Sequence, residues 1–505
     1  MIKIKSKLVW GVLLPLTLAI QTGHAASFQE YFNSAKSELN ELFGNGKKDA
    51  HKISIQTLSA FPVEQPEQKN LPIITLPNSS ARNVVPNGND RGKYQSNTVS
   101  IIDAVQQALQ NHPDISKKIS EISAQSANID TAKSQYYPQI SGGISSANLT
   151  EKGRGAQVYS VTATQVLYDF GKIHESVNAE KAQLLEKQAQ LLASIDDVTA
   201  QTMDAIININ RYKEIVKIAD QQVKGIARIA EIANLRARAG ISSQADPVQA
   251  QSTLEAAMSN KLIQETVLRQ YQQKLKTLLG YDVSATTFTL PDSIVSDSGL
   301  YQATDYTKIP EMMIAQANVE IAKSQKEQAK LNPYPTLQVK GSLNKALNGY
   351  NPNNNEKNGT YSSVMLEVSS NFFQGGANSA KLKSASFAEE AAKAQVNAVY
   401  RDVSDQVSLI REQVENKQQQ MQVLAARRET TARTKELYQE QYKLGTRTVV
   451  DLLNAEEAIH NVAQQIQTAK YDIYDGLANY IKITGQSRDF YKLNNISIQG
   501  VEIEP

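Results

Sequence analysis

The chain has 505 residues, with 53 basic against 51 acidic side chains, five histidines and no cysteine. The lack of cysteine excludes disulfides, thiolate metal ligands, cysteine nucleophiles and N-terminal acylation, and five scattered histidines do not make a metal site, so no metal or cofactor is expected. A formal net charge of +2 gives no electrostatic footprint for nucleic acid, and a single long apolar run excludes a bundle of transmembrane helices.

The N-terminus has the three parts of a secretory signal peptide. Three lysines precede an apolar run over 8–20, and the small residues Gly23, Ala25 and Ala26 follow it. An apolar run of about 13 residues is shorter than the roughly 20 that a transmembrane anchor needs. We predict that residues 1–25 are removed on export, so that the mature chain acts outside the cytoplasm.

Residues 26–97 form an N-terminal extension in two parts. In the first part, apolar residues recur three and four positions apart, which predicts a short amphipathic helix that docks on the protein's own body or on a partner. In the second part, over 44–97, five prolines stand among Asn, Gln and Ser, which predicts an extended or disordered linker without regular elements. The apolar stripe comprises Phe28, Tyr31, Phe32, Ala35, Leu39, Leu42 and Phe43.

The remainder of the chain is an internal duplication. The segment Ala127–Gln135 recurs as Ala317–Gln325 with six of nine residues identical, and further along an offset of 205 aligns Gly240 with Gly445. The chain is therefore divided into a first repeat, an inter-repeat segment, a second repeat and a C-terminal tail, at 98–280, 281–308, 309–485 and 486–505.

Each repeat begins with a helical stretch and continues with a hairpin, predicted at 139–168 and at 336–373. In the second strand of the first hairpin, Ser160 and Thr162 point to one face and Val161 to the other. Strands of about ten residues that are apolar on one side and polar on the other are typical of a membrane-spanning barrel. The alternative for these segments is a solvent-exposed hairpin.

A long helix and a return helix follow each hairpin. The runs 172–238 and 377–443 contain no proline and a single glycine, Gly225, so each predicts a helix about 100 Å long. Such a helix does not fit inside a compact domain and must form a rod or a wall. The return helices are predicted at 246–279 and 449–484.

Four strands per chain are too few to close a barrel, and open strand edges cannot face lipid. Three chains together supply twelve strands, a number that encloses a lumen. The predicted fold class is therefore mainly α with a small β part. It comprises a trimeric twelve-stranded β-barrel continued by a long α-helical barrel.

Three segments resemble the TolC family of outer-membrane efflux and export channels. Leu444–Ala455 is similar to the most recognisable stretch of that family, and Gln165–Gly171 and Phe372–Gly376 resemble its strand-to-helix junctions. The resemblance covers about 98–485. It implies a homotrimer in the bacterial outer membrane that extends into the periplasm and docks to a periplasmic adaptor protein and an inner-membrane transporter.

The resemblance also implies a gate at the periplasmic end of the tunnel. Tyr442 and Arg447 match residues that bind an aspartate of the first repeat, here Asp246, and Asp451 matches an inward-facing acidic residue. Asn454 stands where the family has a second acidic residue, so the charge filter is expected to be weakened. Without the resemblance, each would be an ordinary solvated residue at a helix end.

Six further residues match tip positions that resemble adaptor contacts in the family, and the match is weaker in the first repeat than in the second. These residues are Gly240, Ile241, Ser242, Leu444, Gly445 and Thr446.

The leading interpretation is an export duct. Within the family, type I secretion of a large protein such as an adhesin is favoured, with an inner-membrane transporter of the ABC type. The lack of an acylation cysteine and the match over 444–455 favour this branch. Efflux of drugs or metals is the alternative within the family, and a non-pore exported coiled-coil structural protein is the alternative of another class. No enzyme is expected, because His112, His174 and His460 form no catalytic motif. The adjacent Asp196 and Asp197 are expected on a wet, solvent-exposed helix face.

Overall fold

The computed structural model of the protein describes residues 51–54, 98–147, 156–290, 294, 298–347 and 358–504. The predicted signal peptide, the apolar stripe over 27–43 and most of the proline-rich linker lie outside these residues.

The first repeat contains two short helices, a hairpin, a helix of 67 residues and a return helix of 35 residues. Pro113 begins the second short helix, where its missing N–H breaks no helical hydrogen bond. In chain order, the elements up to the end of this repeat are β1 (His51–Ser54), β2 (Thr98–Ser100), α1 (Ile101–Asn111), α2 (Pro113–Ser134), β3 (Gln139–Ala147), β4 (Ala156–Tyr168), α3 (Lys172–Arg238) and α4 (Ala245–Leu279).

The second repeat has the same order of elements, except that one helix in place of two precedes its hairpin, and its long helix and return helix again have 67 and 35 residues. A short strand and a 3-10 turn over Tyr306–Lys308 precede it, and a short helix and a hairpin follow it. These elements are β5 (Thr287–Thr289), α5 (Pro310–Leu331), β6 (Thr336–Leu347), β7 (Thr360–Ser369), α6 (Ala377–Lys443), α7 (Val449–Ile483), α8 (Ser487–Phe490), β8 (Ser497–Ile498) and β9 (Val501–Glu504).

The two hairpins form one antiparallel sheet in the order β3-β4-β6-β7. One row across the four strands is polar throughout, with Ser141, Thr162, Ser342 and Ser363 in register, and the hydroxyls of Ser342 and Ser363 are 2.8 Å apart. The opposite face exposes large apolar side chains. They are Ile140, Ile144, Tyr159, Val161, Leu343, Val364, Leu366 and Val368. The alternation predicted from the sequence is therefore present, with one polar and one apolar face.

The sheet passes into the long helices through two turns of positive φ. At the first turn, the buried carboxylate of Asp169 accepts hydrogen bonds from the amides of Gly171 (2.9 Å) and Ile173 (2.7 Å), which satisfies free N–H groups at the start of α3. At the second turn, Gly375 and Gly376 take φ values of 59° and 86°. Strand β7 ends at Ser369, so the aromatic residues at 372–373 follow the strand instead of ending it.

The helices form a single layer. In the half next to the sheet the order is α2-α3-α5-α6, and in the half away from the sheet it is α4-α3-α7-α6. Both long helices are uninterrupted because neither contains proline, and α3 contains only the one glycine noted in the sequence. Alanine and small polar residues at the contacts allow close packing of the helices.

The largest apolar core lies at mid-length of the layer. It joins the middle of α3, around Leu192 and Ile206, to α1, to the end of α7 around Leu477, and to the C-terminal hairpin through Ile503. A second cluster of buried residues lies at the end of the layer away from the sheet, between the turn that joins α3 to α4 and the turn that joins α6 to α7. Tyr442, one of the predicted gate residues, belongs to this second cluster.

Two expectations from the sequence are wrong. The linker over 44–97 was expected to contain no regular element, but His51–Ser54 is a strand that pairs in parallel with β9, because the C-terminal hairpin offers it a strand edge. Asp196 was expected on a wet helix face, but only 2% of its surface is exposed. The apolar core at mid-length covers this part of α3, and burial raises the pKa of Asp196 to about 7 in spite of the nearby Arg488 guanidinium.

Candidate functional site

The two long helices end in the same kind of turn at the far end of the layer. In each, a glycine follows the helix with positive φ, 73° at Gly240 and 79° at Gly445. The amide of Ile241 bonds to the carbonyl of Arg236 (2.9 Å), and the equivalent bond of the second turn is 3.0 Å. This is the Schellman termination, which requires a residue that tolerates φ > 0. We call the turns over 239–244 and 444–448 the first tip and the second tip.

Each tip projects one large apolar side chain into solvent. Ile241 is 64% exposed and Leu444 is 79% exposed, and each is next to a glycine in the sequence. Thr446 and Gly445 complete the second tip, and Ser242 lies half-buried in the first. We call these two exposed side chains the knobs of the tips.

Arg236 joins the two tips. Its guanidinium lies 4.9 Å from the centre of the Tyr442 ring, and its Nη1 donates a hydrogen bond to the carbonyl of Lys443 (3.2 Å). The same guanidinium thus lies over an aromatic face and at the negative C-terminal end of helix α6, and both positions favour a cation. Sequence reasoning missed Arg236, because nothing near it in the chain marks its partner.

Tyr442 is buried between the tips. It is 3% exposed, and within the described chain its hydroxyl has no hydrogen-bond partner. Burial raises the pKa of Tyr442, and the negative charge of Asp246 raises it further, while Arg236 lowers it. Among the described residues of one protomer, no hydrogen bond joins Tyr442 to Asp246, although the charge of the carboxylate acts on the phenol.

Arg447 is satisfied within its own tip. Its Nε donates to the side-chain oxygen of Gln441 (2.9 Å), its guanidinium lies 4.4 Å from the ring centre of Tyr438, and its Nη1 is 3.7 Å from Asp451. In the described part of one protomer, no hydrogen bond or ion pair joins it to Asp246, the partner that the resemblance implies.

Asp451 forms a capping box with Thr448 at the start of α7. The hydroxyl of Thr448 accepts from the amide of Asp451 (3.2 Å), and the carboxylate of Asp451 accepts from the hydroxyl (2.9 Å) and the amide (3.4 Å) of Thr448. The hydrogen bond from the Thr448 hydroxyl, with the nearby Arg447, holds the pKa of Asp451 below its usual range. Asp451 thus stays ionised and also fixes the second tip.

Asn454 lies at the end of an open polar groove along α7. The groove has a volume of about 410 Å³, and Arg427 of α6 lies on its other side. Its other lining residues recur at helical spacing on α7: Glu457, Asn461, Gln464, Gln465 and Thr468. No apolar side chain larger than alanine lines this groove, so it can accept water and ions but offers little to a hydrophobic ligand.

A buried carboxylate with two side-chain partners lies above the tips, where α3, α6 and α7 meet. Glu456 is 2% exposed, its Oε2 pairs with Lys435 Nζ (2.6 Å), and its Oε1 lies 3.1 Å from His460 Nε2. Burial acts to raise the pKa of Glu456, but the contacts with His460 and Lys435 outweigh burial and hold the pKa below its usual value. Gly225 of α3 lies against this carboxylate, and a Cβ at Gly225 would lie 1.8 Å from Oε1 of Glu456.

No helix among the described residues combines the length and the apolar character that a membrane crossing requires. No group of three or more His, Asp or Glu side chains among them is arranged to hold a metal ion.

The family model described as "Outer membrane efflux protein" matches residues 104–281 and 308–486. Protein CyaE of Bordetella pertussis is 27% identical over 253 residues, which cover 48% of this chain and 53% of CyaE, so the match spans about half the length of that relative. Outer membrane protein TolC of Escherichia coli is 21% identical over 446 residues, which cover 81% of this chain and 87% of TolC.

Solved structures have the same fold. The outer-membrane channel OprN superposes with a TM-score of 0.66 at 17% identity, over 76% of this chain and 89% of OprN. The outer membrane protein VceC of Vibrio cholerae superposes with a TM-score of 0.65 at 15% identity, over 76% of this chain and 96% of VceC.

Proposed function

The chain belongs to the outer membrane efflux protein family, the TolC-type channels, and from this premise we propose that it forms the outer-membrane duct of a type I secretion system. Its substrate in this proposal is a large protein such as an adhesin. The observation that carries the proposal is the second tip, where Leu444–Asn454 combines a TolC-like sequence with the exposed knob and the capping box. The lack of cysteine, which leaves no site for a lipid anchor, supports the same branch.

In this proposal the duct is a trimer. The four-stranded sheet has two open edges, β3 and β7, and a lipid bilayer tolerates no open strand edge. Three sheets joined edge to edge remove every open edge and give twelve strands. The polar row of Ser141 and its neighbours then faces the lumen, and the apolar face of the sheet faces lipid.

The helix layer has two free edges as well, and both expose apolar side chains. Joining α4 of one protomer to α6 of the next covers both edges and closes the layer into a tunnel. The side chains that this contact would cover are Val248, Met258, Leu262 and Ile263 on α4, and Leu409, Val423 and Leu437 on α6. Scattered exposed aliphatic residues on two opposite edges fit a ring of identical subunits.

In the same proposal the two tips close the periplasmic end of the tunnel. Arg236 ties the tips through Tyr442 and Lys443, while Arg447 and Asp451 stiffen the second tip. Three copies of Asp451 would attract cations, and Asn454 and the groove below it would add amide groups in place of a second charged ring. Asp246 is proposed to bind a neighbouring protomer.

The knobs on the tips are proposed to contact the periplasmic adaptor. Ile241 and Leu444 present apolar side chains, and Gly240, Gly445, Ser242 and Thr446 allow close approach of a partner backbone. An adaptor that binds the tips competes with the contacts that hold them together, and so shifts the end of the tunnel towards its open state. The transporter beneath the adaptor is proposed to be of the ABC type.

The experiment that tests the substrate class is a deletion of the gene in its own organism. We expect a large protein to disappear from the culture medium, while sensitivity to drugs and metal ions stays within about twofold of the parent strain. Expression of the intact chain from a plasmid should restore the secreted protein. An unchanged set of secreted proteins with raised drug or metal sensitivity would contradict secretion and establish efflux.

A further inference from the structure

Arg211 of α3 holds two carboxylates of α7. Its Nη2 donates a hydrogen bond to Oδ2 of Asp475 (2.6 Å) and lies 3.0 Å from Oδ1 of Asp472. The other oxygen of Asp472 pairs with Nζ of Lys417 on α6 (2.9 Å). Charges of alternating sign thus join three neighbouring helices of the layer.

The same row of charges reaches the fourth helix. Nζ of Lys274 on α4 pairs with Asp204 of α3 (2.7 Å), and Asp204 stands two helical turns from Arg211 on the same face of α3. At a rise of 1.5 Å per residue, these side chains lie about 35–50 Å from the tips. We call them the charge belt, which comprises Lys274, Asp204, Arg211, Asp475, Asp472 and Lys417.

The inter-repeat segment covers the other face of the layer. Nζ of Lys213 on α3 donates to the carbonyl of Thr286 (2.8 Å), and the guanidinium of Arg411 on α6 donates to two further carbonyls of the same segment (2.7 and 2.8 Å). At about 100° per residue, Lys213 is turned about 180° from Asp204, and Arg411 is turned about 120° from Lys417. The charge belt therefore lies on the face that this segment leaves open.

In the trimeric tunnel proposed above, the open face is the inner wall. Four helices from each of three protomers, about 8–10 Å apart, enclose a bore about 20–30 Å wide. Three inter-repeat segments inside this bore would obstruct it, whereas the outside has room for them. The polar groove of α7 belongs to the same wall, because Thr468 and Gln465 stand one and two turns from Asp472 on one face of the helix.

Asp475 changes its charge near neutral pH. Burial, with the negative charges of Asp204 and Asp472, raises the pKa of Asp475 to about 7 in spite of the Arg211 guanidinium. With three acidic and three basic groups ionised, the charge belt is neutral. Protonation of Asp475 below pH 7 leaves one net positive charge per protomer, and hence a ring of three in the trimer.

We propose that the charge belt is a selectivity ring on the tunnel wall, and that Asp475 makes its preference for cations over anions depend on pH. Above pH 7 the ring carries no net charge, and below pH 7 it repels cations and attracts anions. This inference rests on the trimeric tunnel of the proposed function and holds for any substrate.

The test measures reversal potentials of the trimer in planar bilayers under a salt gradient, between pH 5.5 and 8.5. We expect the cation-to-anion permeability ratio to fall about 2- to 3-fold as the pH is lowered through 7, because three positive charges then repel cations. Asp475→Asn, which has no charge at this position, should keep the low ratio at every pH. A wild type without the step, or a step of unchanged size in Asp475→Asn, would overturn the proposal.

Asp472→Asn is the matched control, because it makes the same change in the same belt. The step should persist and move to lower pH, since the variant removes a like charge beside Asp475 and leaves Arg211 to Asp475 alone. Loss of the step in Asp472→Asn as well would overturn the assignment to Asp475.

A second measurement tests the side on which the charge belt lies, and the lack of cysteine makes it specific. Gln465→Cys places a thiol on the proposed inner wall, and Lys217→Cys places one on the opposite face, one turn from Lys213, where the Lys217 side chain is 67% exposed. A cationic methanethiosulfonate reagent should lower single-channel conductance of Gln465→Cys by about 20–50% and leave Lys217→Cys unchanged. An unaffected Gln465→Cys channel would contradict the placement of the belt alone, whereas a wild type that forms no channel would contradict the tunnel itself.

Discussion

At the scale of single residues, the contact that joins the tips comes from Arg236. Its guanidinium stacks on Tyr442 and donates to the carbonyl of Lys443, whereas Arg447 is bound inside the second tip by Gln441, Tyr438 and Asp451. A cation over an aromatic ring contributes about 0.5–2 kcal/mol, and removing a partly buried arginine also costs its packing. Arg236 therefore contributes directly to holding the tips together.

The first prediction is that Arg236→Ala loosens the closed end of the tunnel. Loss of about 1–2 kcal/mol per protomer from the closed state raises the open population several-fold or more, so conductance in planar bilayers should rise. Arg447→Ala, which loosens one tip internally, should also raise conductance. Arg238→Ala is the control, because this exposed arginine in the same helical turn has the same charge. Unchanged conductance for both Arg236→Ala and Arg447→Ala in intact trimers would place the gate elsewhere.

The sequence predicts some of these residues and not others, for a physical reason. Gly240 and Gly445 end long glycine-poor helices, and a helix end that requires positive φ is readable locally. Arg236 is not readable in this way, because its partners lie more than 200 positions away and depend on how the two hairpins pack. The family resemblance supplied Arg447 but could not show that Gln441 and Asp451 bind it within one protomer.

At the scale of elements, the helices above the tips are locked by a carboxylate that fits against a glycine. Glu456 of α7 is paired with Lys435 of α6 and contacts His460, and it occupies the space left by the missing side chain of Gly225 in α3. A buried ion pair is costly to break, because the partner that remains is left without compensation. The three helices therefore have one preferred relative position at this level.

The second prediction concerns this fit. Gly225→Ala places a Cβ 1.8 Å from the carboxylate oxygen, so Glu456 must leave its partners, and the apparent melting temperature should fall by an amount equivalent to about 2–4 kcal/mol. Adding Glu456→Ala removes the clash, so the double variant should be less destabilised than the sum of the two single variants by about 1–3 kcal/mol.

Glu457→Ala added to Gly225→Ala is the matched control, because Glu457 is the next residue but lines the groove instead of the helix junction. Thermal unfolding followed by circular dichroism measures the wild type, the three single variants and the two double variants. Simple additivity of Gly225→Ala and Glu456→Ala would show that the two residues do not interact.

Element order was largely readable from the sequence, and the reason is local. Runs without proline predict the long helices, and a weak period-two alternation predicts the strands of the sheet, because each pattern reflects the period of its own element. Strand β1 was not readable, since four residues in a proline-rich segment become a strand only through pairing with β9 at the other end of the chain. The sequence shows Gly225 as the single glycine of α3. It does not show that Glu456 packs against this glycine, because the two residues are far apart in the chain.

At the scale of the whole molecule, the predicted fold class is confirmed by the shared fold of outer-membrane channels and by the two stretches that match one family model. One protomer contributes a sheet with two open edges and a helix layer with two apolar edges. Neither half is complete alone, and the same rotation that closes the sheet closes the helix layer. Three-fold assembly is thus the condition for both the membrane part and the tunnel.

The measurement that tests this account most directly is native mass spectrometry of the protein extracted from the outer membrane in mild detergent. The account predicts a single species with three times the mass of the processed chain, because only three sheets of four strands close a barrel of this size. A species with the mass of one chain, folded and stable in the same detergent, would contradict it.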